Sequence, residues 1–186
     1  MSFLTLGGRR AFLGGAGLAL SGSAVALLAG RDTLAAASSS TTPASDVAIL
    51  NSALAAELEA IAAYGVGAGS GLLKGSVLTL ATTFQGHHKQ HADVLAGTVR
   101  RLGGKPVEAK AKYEFPVATL KTQNDVLRFA AVLEKGAVSA YLGAVPQFAD
   151  RELSKAAASI LGDEAMHWAV LRQAVGEEPV PAAFVS

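Results

Sequence analysis

His88-Lys89-Gln90-His91 and Glu164-Ala165-Met166-His167 are the stretches that decide the fold of this chain. Each lies within a long helical pattern and sets two metal-type ligands three residues apart, a spacing that shares one helix face. About thirty residues ahead of each stands another matched pair, Glu57 with Tyr64 and Glu134 with Tyr141. Both pairs are separated by seven positions, which is the same face two turns on. The offsets nearly repeat, since Glu57 to His91 is 34 residues and Glu134 to His167 is 33. Beyond its first forty or so residues, the chain reads as two copies of one helix hairpin. Each copy gives a Glu from its first helix and an x-x-His pair from its second.

Outward from those stretches, Leu50, Ala53, Leu54, Glu57, Ile61 and Tyr64 recur at three- and four-residue steps. They predict a helix from Asp46, read as its N-cap, to near Val66, with Glu59 off the stripe and solvated. Gly65 to Gly71 reads as the helix end and a short turn, which sends the next helix back antiparallel. That second helix is expected from about Lys74 to Arg101, with Phe84, His88, His91 and Leu95 on one face and Gly103-Gly104 as its stop. A third, from about Asn124 to Val145, repeats the first stripe with Leu127, Ala130, Ala131, Glu134, Val138 and Tyr141, until Pro146 removes an amide donor. The fourth begins near Asp150 and carries Ile160, Leu161, Glu164, His167 and Leu171, with Trp168 read as core. The tail Glu178 to Phe184 is too proline-rich for helix and is expected to fold back on the surface.

Between Lys105 and Lys121 the periodicity lapses. Seventeen residues at ~3.3 Å each span more than about 50 Å, whereas the second helix at ~1.5 Å per residue is about 40 Å long. Such a strap, packed down by Tyr113, Phe115 and Val117, can travel the whole bundle, and is expected to let the third helix start at the same end as the first. The architecture expected is all-α, a four-helix bundle of two hairpins joined by a long crossover.

The opening residues stand apart. Gly8-Arg9-Arg10-Ala11-Phe12-Leu13 is a twin-arginine pair followed by an uncharged Gly- and Ala-rich run to Gly30, the pattern of a Tat export leader. The expected layout is a Tat signal peptide at 1–37, a linker at 38–45 and the bundle at 46–186, with export to the periplasm by the Tat translocase. The apolar run is close to the ~20 residues that cross a bilayer, so an uncleaved membrane anchor is the rival. Removing the leader leaves 149 residues, enough for one domain with a core. There is no Cys, so neither disulfides nor thiolate metal sites are available. A net charge of +1 with scattered Lys and Arg argues against a nucleic-acid partner. A homodimer is left open.

Six ionisable side chains face inward on this scheme: Glu57, His88, His91, Glu134, Glu164 and His167. Burying one unpaired charge costs several kcal/mol, against only ~5–15 kcal/mol of net stability for a domain. A cation would neutralise them, since carboxylate oxygen and imidazole nitrogen are ligands of iron, manganese and zinc.

The run Leu50-Asn51-Ser52-Ala53-Leu54-Ala55-Ala56-Glu57 through Tyr64, His87-His88-x-x-His91, Glu134 with Ala140-Tyr141-Leu142-Gly143, and Glu164-x-x-His167 together resemble the exported ferritin-like domain proteins related to desiccation-associated bacterial proteins. The likeness covers nearly the whole chain after the leader. It implies a ferritin-like bundle in which Glu57 and Glu134 are terminal metal ligands, Glu164 bridges, and His91 and His167 supply nitrogen. His88 departs from the pattern by standing where the superfamily has a second bridging Glu. Imidazole brings one lone pair and no charge, and three carboxylates fall short of two divalent ions. One iron, two unequal irons, manganese or zinc are therefore all open. His87 can reach His91 at i+4.

Two functions follow. One is an exported iron (or manganese) protein with oxidase or peroxide-related activity. The other is a non-catalytic stress-protection or binding protein whose core site is degenerate or purely structural, such as zinc.

Overall fold

The computed structural model describes residues 43–185, and within them every regular element is helical. The expected Tat signal peptide at 1–37 and the first part of the expected linker lie outside the described residues. The long helices are α1 (Pro43–Gly69), α2 (Gly75–Arg101), α3 (Gln123–Ala144) and α4 (Arg151–Ala174). Short 3-10 turns at Val117–Thr119 and Val145–Gln147 flank α3. Packing is densest within each hairpin, α1 on α2 and α3 on α4, and α1 meets α3 across the hairpins.

Local chemistry sets most boundaries. Thr122 and Asp125 close a reciprocal capping box at the start of α3, and the Asp150 side chain accepts the Glu152 amide to start α4. Pro146 sits inside the 3-10 turn that ends α3.

Two boundaries differ from the sequence expectation. First, α1 runs through Gly65 and Gly67 to Gly69. A Cβ at Gly65 would press on Gln85, and one at Gly67 on Val126, each at 3.2 Å. These glycines let neighbouring helices come close, and the chain reverses only at Gly71 and Gly75, where φ is +73° and +53°. Second, α1 begins ahead of Asp46, so Asp46 is not its cap. Its buried carboxylate accepts the amides of Ala149 (2.9 Å) and Asp150 (3.3 Å), tying the start of α1 to the α3–α4 turn.

The crossover does run the length of the bundle. At one end Gly104 packs against Val47 and the Asn51 side chain bonds both Lys105 and Val107. At the other, the Lys74 amide donates to Gln123. α3 therefore starts beside the α1–α2 turn, at the end opposite the start of α1, which corrects the expected direction. An antiparallel hairpin finishes where it began, so a full-length strap arrives at the far end, and α1 and α3 run antiparallel. On the strap, Tyr113 stacks on Phe115, and Phe115 meets Phe129 of α3 edge-on, while Val117 stays exposed. The tail is pinned by Glu177, which pairs with Arg128 and Arg172, and by Glu178, whose carbonyl accepts from Arg172. Trp168 is half-buried under Lys135 and Arg172, not in the core as its helical register suggested.

Two apolar clusters fill the interior. Leu50, Leu54, Leu95, Val99 and Ile160 gather toward the start of α1. Phe84, Val126, Leu127 and Leu171 gather toward its end. Between them lies a layer of buried acids and imidazoles.

Candidate metal centre

All six residues singled out in the sequence meet in that layer. Glu57, His88, Glu134, Glu164 and His167 are buried, Glu164 completely at 0 % exposure, and only His91 keeps partial contact with solvent. They form two lobes that share Glu164 and His88. In one lobe His91 Nδ1 lies 3.6 Å from Glu57 Oε1 and 3.1 Å from Glu164 Oε1. In the other, His167 Nδ1 lies 3.5 Å from both Glu134 Oε1 and Glu164 Oε2. Glu164 thus turns one oxygen to each lobe.

His88 sits across the two lobes. Its Nδ1 is 2.8 Å from Glu57 Oε2 and its Nε2 is 3.3 Å from Glu134 Oε1. The two tyrosines close the layer by exchange: Tyr64 of α1 donates to Glu134 of α3, and Tyr141 of α3 donates to Glu57 of α1 at 2.6 Å. This swap requires the antiparallel run of α1 against α3. It also keeps each hydroxyl satisfied on a buried carboxylate, as buried tyrosines need.

The electrostatics follow from this crowding. Burial works against a charged His88, but hydrogen bonds to Glu134 and Glu57, with the charges of Glu134 and Glu164, outweigh it and raise its pKa to about 10. Burial likewise opposes a charge on His91 and His167, but the carboxylates that face them, Glu164 and Glu57 for His91 and Glu134 and Glu164 for His167, raise each to about 9. Burial pushes Glu57 up, yet His88, His91 and Tyr141 bring it below its ordinary value. Glu134 is held far below it, against burial, by His167 and His88. Burial first, and then Glu134 for Tyr64 or Glu57 for Tyr141, drive both phenols well above their usual range.

Not every buried polar atom is paired. Among the described residues, five buried side-chain atoms have no hydrogen-bond partner: His91 Nδ1, Glu134 Oε2, both oxygens of Glu164, and His167 Nδ1. Some lie close to one another, as His91 Nδ1 does to Glu164 Oε1, yet without the alignment of a hydrogen bond. Ligands that aim at a common point approach each other side by side in this way. An orphaned buried polar atom costs ~1–3 kcal/mol, so five in one layer call for a shared partner. Oxygen and imidazole donors at this spacing fit a transition-metal ion.

Two further residues join the rim. Asp163 Oδ2 lies 3.1 Å from His87 Nδ1, 3.2 Å from His167 Nε2 and 3.4 Å from His91 Nε2. Sequence reasoning passed over Asp163 and turned His87 toward His91. The structure turns His87 to Asp163 and His167 instead, its Nδ1 only 2.9 Å from His167 Nε2. A register signal was present: His87-His88-x-x-His91 overlays Asp163-Glu164-x-x-His167, so the two missed residues are equivalents.

The comparisons with known proteins agree with this architecture. The model of the ferritin-like domain matches residues 45–177. No curated protein matches the chain. Among solved structures, a conserved hypothetical protein from Mycobacterium tuberculosis superposes with a TM-score of 0.66 at 24% identity, covering 77% of this chain and 99% of that one. A ferritin-like, diiron-carboxylate protein from Bacillus anthracis gives 0.62 at 21% identity over 72% and 96% of the two chains. A dodecameric thioferritin related to bacterioferritin, from Bacteroides fragilis, gives 0.63 at 23% identity over 73% and 86%. At these identities the superpositions carry the fold alone, while the match over 45–177 assigns the chain to the ferritin-like domain family.

Proposed function

We propose that this is an exported metal protein whose bundle core holds iron or manganese for chemistry with dioxygen or peroxide. The observation that carries the reading is the set of orphaned donors on Glu134, Glu164, His91 and His167, all in one buried layer. Glu57 and Glu134 would each hold one lobe, with His91 and His167 giving nitrogen and Glu164 spanning the two. Such an ion, when bound, supplies a Lewis acid able to exchange electrons with a small oxidant. The protein's part is to orient and to screen. Tyr64 fixes Oε1 of Glu134 and leaves Oε2 free to turn to an ion, whereas on Glu57 Tyr141 holds Oε1 and His88 holds Oε2. His88, bonded through both nitrogens to opposite carboxylates, fills the place of a bridging acid without adding negative charge. That favours a single divalent ion or two unequal ones over a symmetric pair. Between α1 and α3, a slot of about 310 Å³ lined by Ala53, Ala56, Ala60, Ala137 and Ala140 reaches Glu57 and His88, which suits a small apolar molecule such as dioxygen. The twin-arginine segment Gly8 to Leu13 supports export, and the resemblance to desiccation-associated proteins supports a role in stress protection.

Elemental mass spectrometry of the full chain, then iron(II) and air with absorption recorded in the near ultraviolet, tests the proposal. Bound iron with a new oxo-type band supports it, and a chain that takes up no transition metal overturns it. One observation favours a second reading, a scaffold without catalysis: three imidazoles with raised pKa can neutralise the carboxylates by themselves. Bound zinc, or metal with no reaction on exposure to air, would select it.

A further inference from the structure

His87 and Asp163 stand at the rim of the buried layer, with 38% and 22% of their side chains exposed. Together with the outward nitrogen of His167 they make a triangle whose sides are 2.9 Å (His87 Nδ1 to His167 Nε2), 3.1 Å (His87 Nδ1 to Asp163 Oδ2) and 3.2 Å (His167 Nε2 to Asp163 Oδ2). Donor atoms bound at ~2.0–2.1 Å to one ion lie about 2.8–3.0 Å from each other in an octahedral shell and about 3.3–3.4 Å in a tetrahedral one, and the sides here fall between those limits. The triangle therefore has the size of one face of a coordination shell, with its exposed side available to water. Two imidazoles and a carboxylate suit a divalent transition ion.

We propose that His87, Asp163 and His167 form a separate capture site, which takes a divalent transition ion from solution and passes it to the buried centre. His167 makes the passage direct. Its Nε2 belongs to the rim triangle, while its Nδ1 faces Glu134 and Glu164. A neutral imidazole has one lone pair. Held on Nε2, that pair serves the rim; held on Nδ1, it serves the interior. An ion held inside would call for the other tautomer, of the same net charge, in which Nε2 carries the proton and would donate to Asp163. Asp163 Oδ2 is also 3.4 Å from His91 Nε2, so the carboxylate that releases the ion can then steady both inner histidines from behind. Capture stands on the rim geometry alone, and only the destination rests on the reading of the buried centre.

Anaerobic Co²⁺ titration of the full chain, followed by visible absorption, tests this. Glu164→Ala removes the carboxylate shared by the inner lobes and leaves the rim residues in place. That variant should bind one Co²⁺, and adding His87→Gln should abolish the binding. In a chain carrying only His87→Gln, a half-exposed position, the final Co²⁺ content should match the unaltered chain while loading slows about tenfold or more. Co²⁺ binding by Glu164→Ala that is indifferent to His87, or loading of His87→Gln at the unaltered rate, overturns the proposal. Should the Co²⁺ of the unaltered chain show the same spectrum as that of Glu164→Ala and be lost in the same way on His87→Gln, the buried destination and the passage fail, while a His87-dependent rim ion would still stand. Were Glu164→Ala to misfold, the loading rate of His87→Gln decides.

Discussion

The two hairpins place their inward acids and imidazoles on one plan but furnish it differently. Overlaid on their last histidines, α2 presents His87-His88-x-x-His91 and α4 presents Asp163-Glu164-x-x-His167. Two acids in one copy are two imidazoles in the other. On α4 the central acid, Glu164, divides its oxygens between the lobes. On α2 the central imidazole, His88, joins the two terminal acids to each other instead. Folding needs only the shared plan, since both hairpins bury the same face. The metal load and the proton load depend on the difference: an acid adds negative charge that a cation must balance, and an imidazole can do the balancing itself.

The sharpest way to break the comparison is to empty its one shared acid. Glu164→Ala should weaken metal binding at the buried centre by more than about 100-fold, since even groups that only support a ligand cost 10–100-fold when removed. Competition against a coloured chelator measures it. Glu59→Ala, on the same bundle but outside every ligand cluster, should leave affinity unchanged. Equal effects from the two would mean that the layer is not a metal site.

Making the copies alike should raise the metal count. His88→Glu turns α2 into the acid-bearing plan of α4, and the bound ions should rise toward two per chain by mass spectrometry. Without metal, the same change leaves four carboxylates together and removes the imidazole that joined two of them. A cost of about 3–5 kcal/mol in chemical denaturation follows, the usual result of breaking a buried charged pair. A His88→Glu protein as stable without metal as the unaltered chain would show that His88 balances nothing.

The proton load has its own signature. Chelator-treated protein holds His88 at about 10 and His91 and His167 at about 9, against 6.5 when unfolded. Between pH 6.5 and 10 the folded state binds more protons than the unfolded one, so stability falls as pH rises. The contribution is fully present below pH 6.5 and is gone above 10, whereas the acids Glu57 and Glu134, held below their ordinary value, contribute in the opposite sense and lose their share on acidification. Metal competes for the same nitrogens, so its affinity should climb across the window in which the metal-free protein weakens. Thermal melts at intervals across that range should give a steadily falling midpoint with chelator, and a flat profile would exclude the imidazolium network.

How much of this was legible depends on how far each signal travels along the chain. The helices and their six inward acids and imidazoles could be found because helical periodicity is local and the duplication wrote it twice. Relations between helices left weaker marks. The length of the Lys105–Lys121 strap tells how far it can reach, but the direction of α3 depends also on the end of the bundle at which α2 stops. Asp46 resembled a cap because its partners, the amides of Ala149 and Asp150, lie a hundred residues away. Gly65 and Gly67 resembled a helix terminator because a glycine that admits a neighbouring helix and one that ends a helix are the same letter. His87 and Asp163 acquire meaning only when α2 and α4 are side by side.

The smallest effects test whether the likeness between hairpins is energetic as well as geometric. Tyr64→Phe and Tyr141→Phe each remove one hydroxyl donated to a buried carboxylate of the opposite hairpin. Hydrogen bonds to charged groups contribute about 1.5–3 kcal/mol, so each substitution should cost an amount in that range, measured by urea denaturation without metal. The acids they serve have different surroundings, since His91 lies beside Glu57 and His167 beside Glu134. His91 remains partly solvated while His167 is buried, so water can replace a lost donor more easily around Glu57. Tyr141→Phe should therefore be the milder change. Equal costs would mean that the exchange of hydroxyls is symmetric in energy and that the two copies diverge only at the His87-His88 and Asp163-Glu164 positions. A milder Tyr64→Phe would place the weaker lobe on α3 and α4, contrary to the burial of His167.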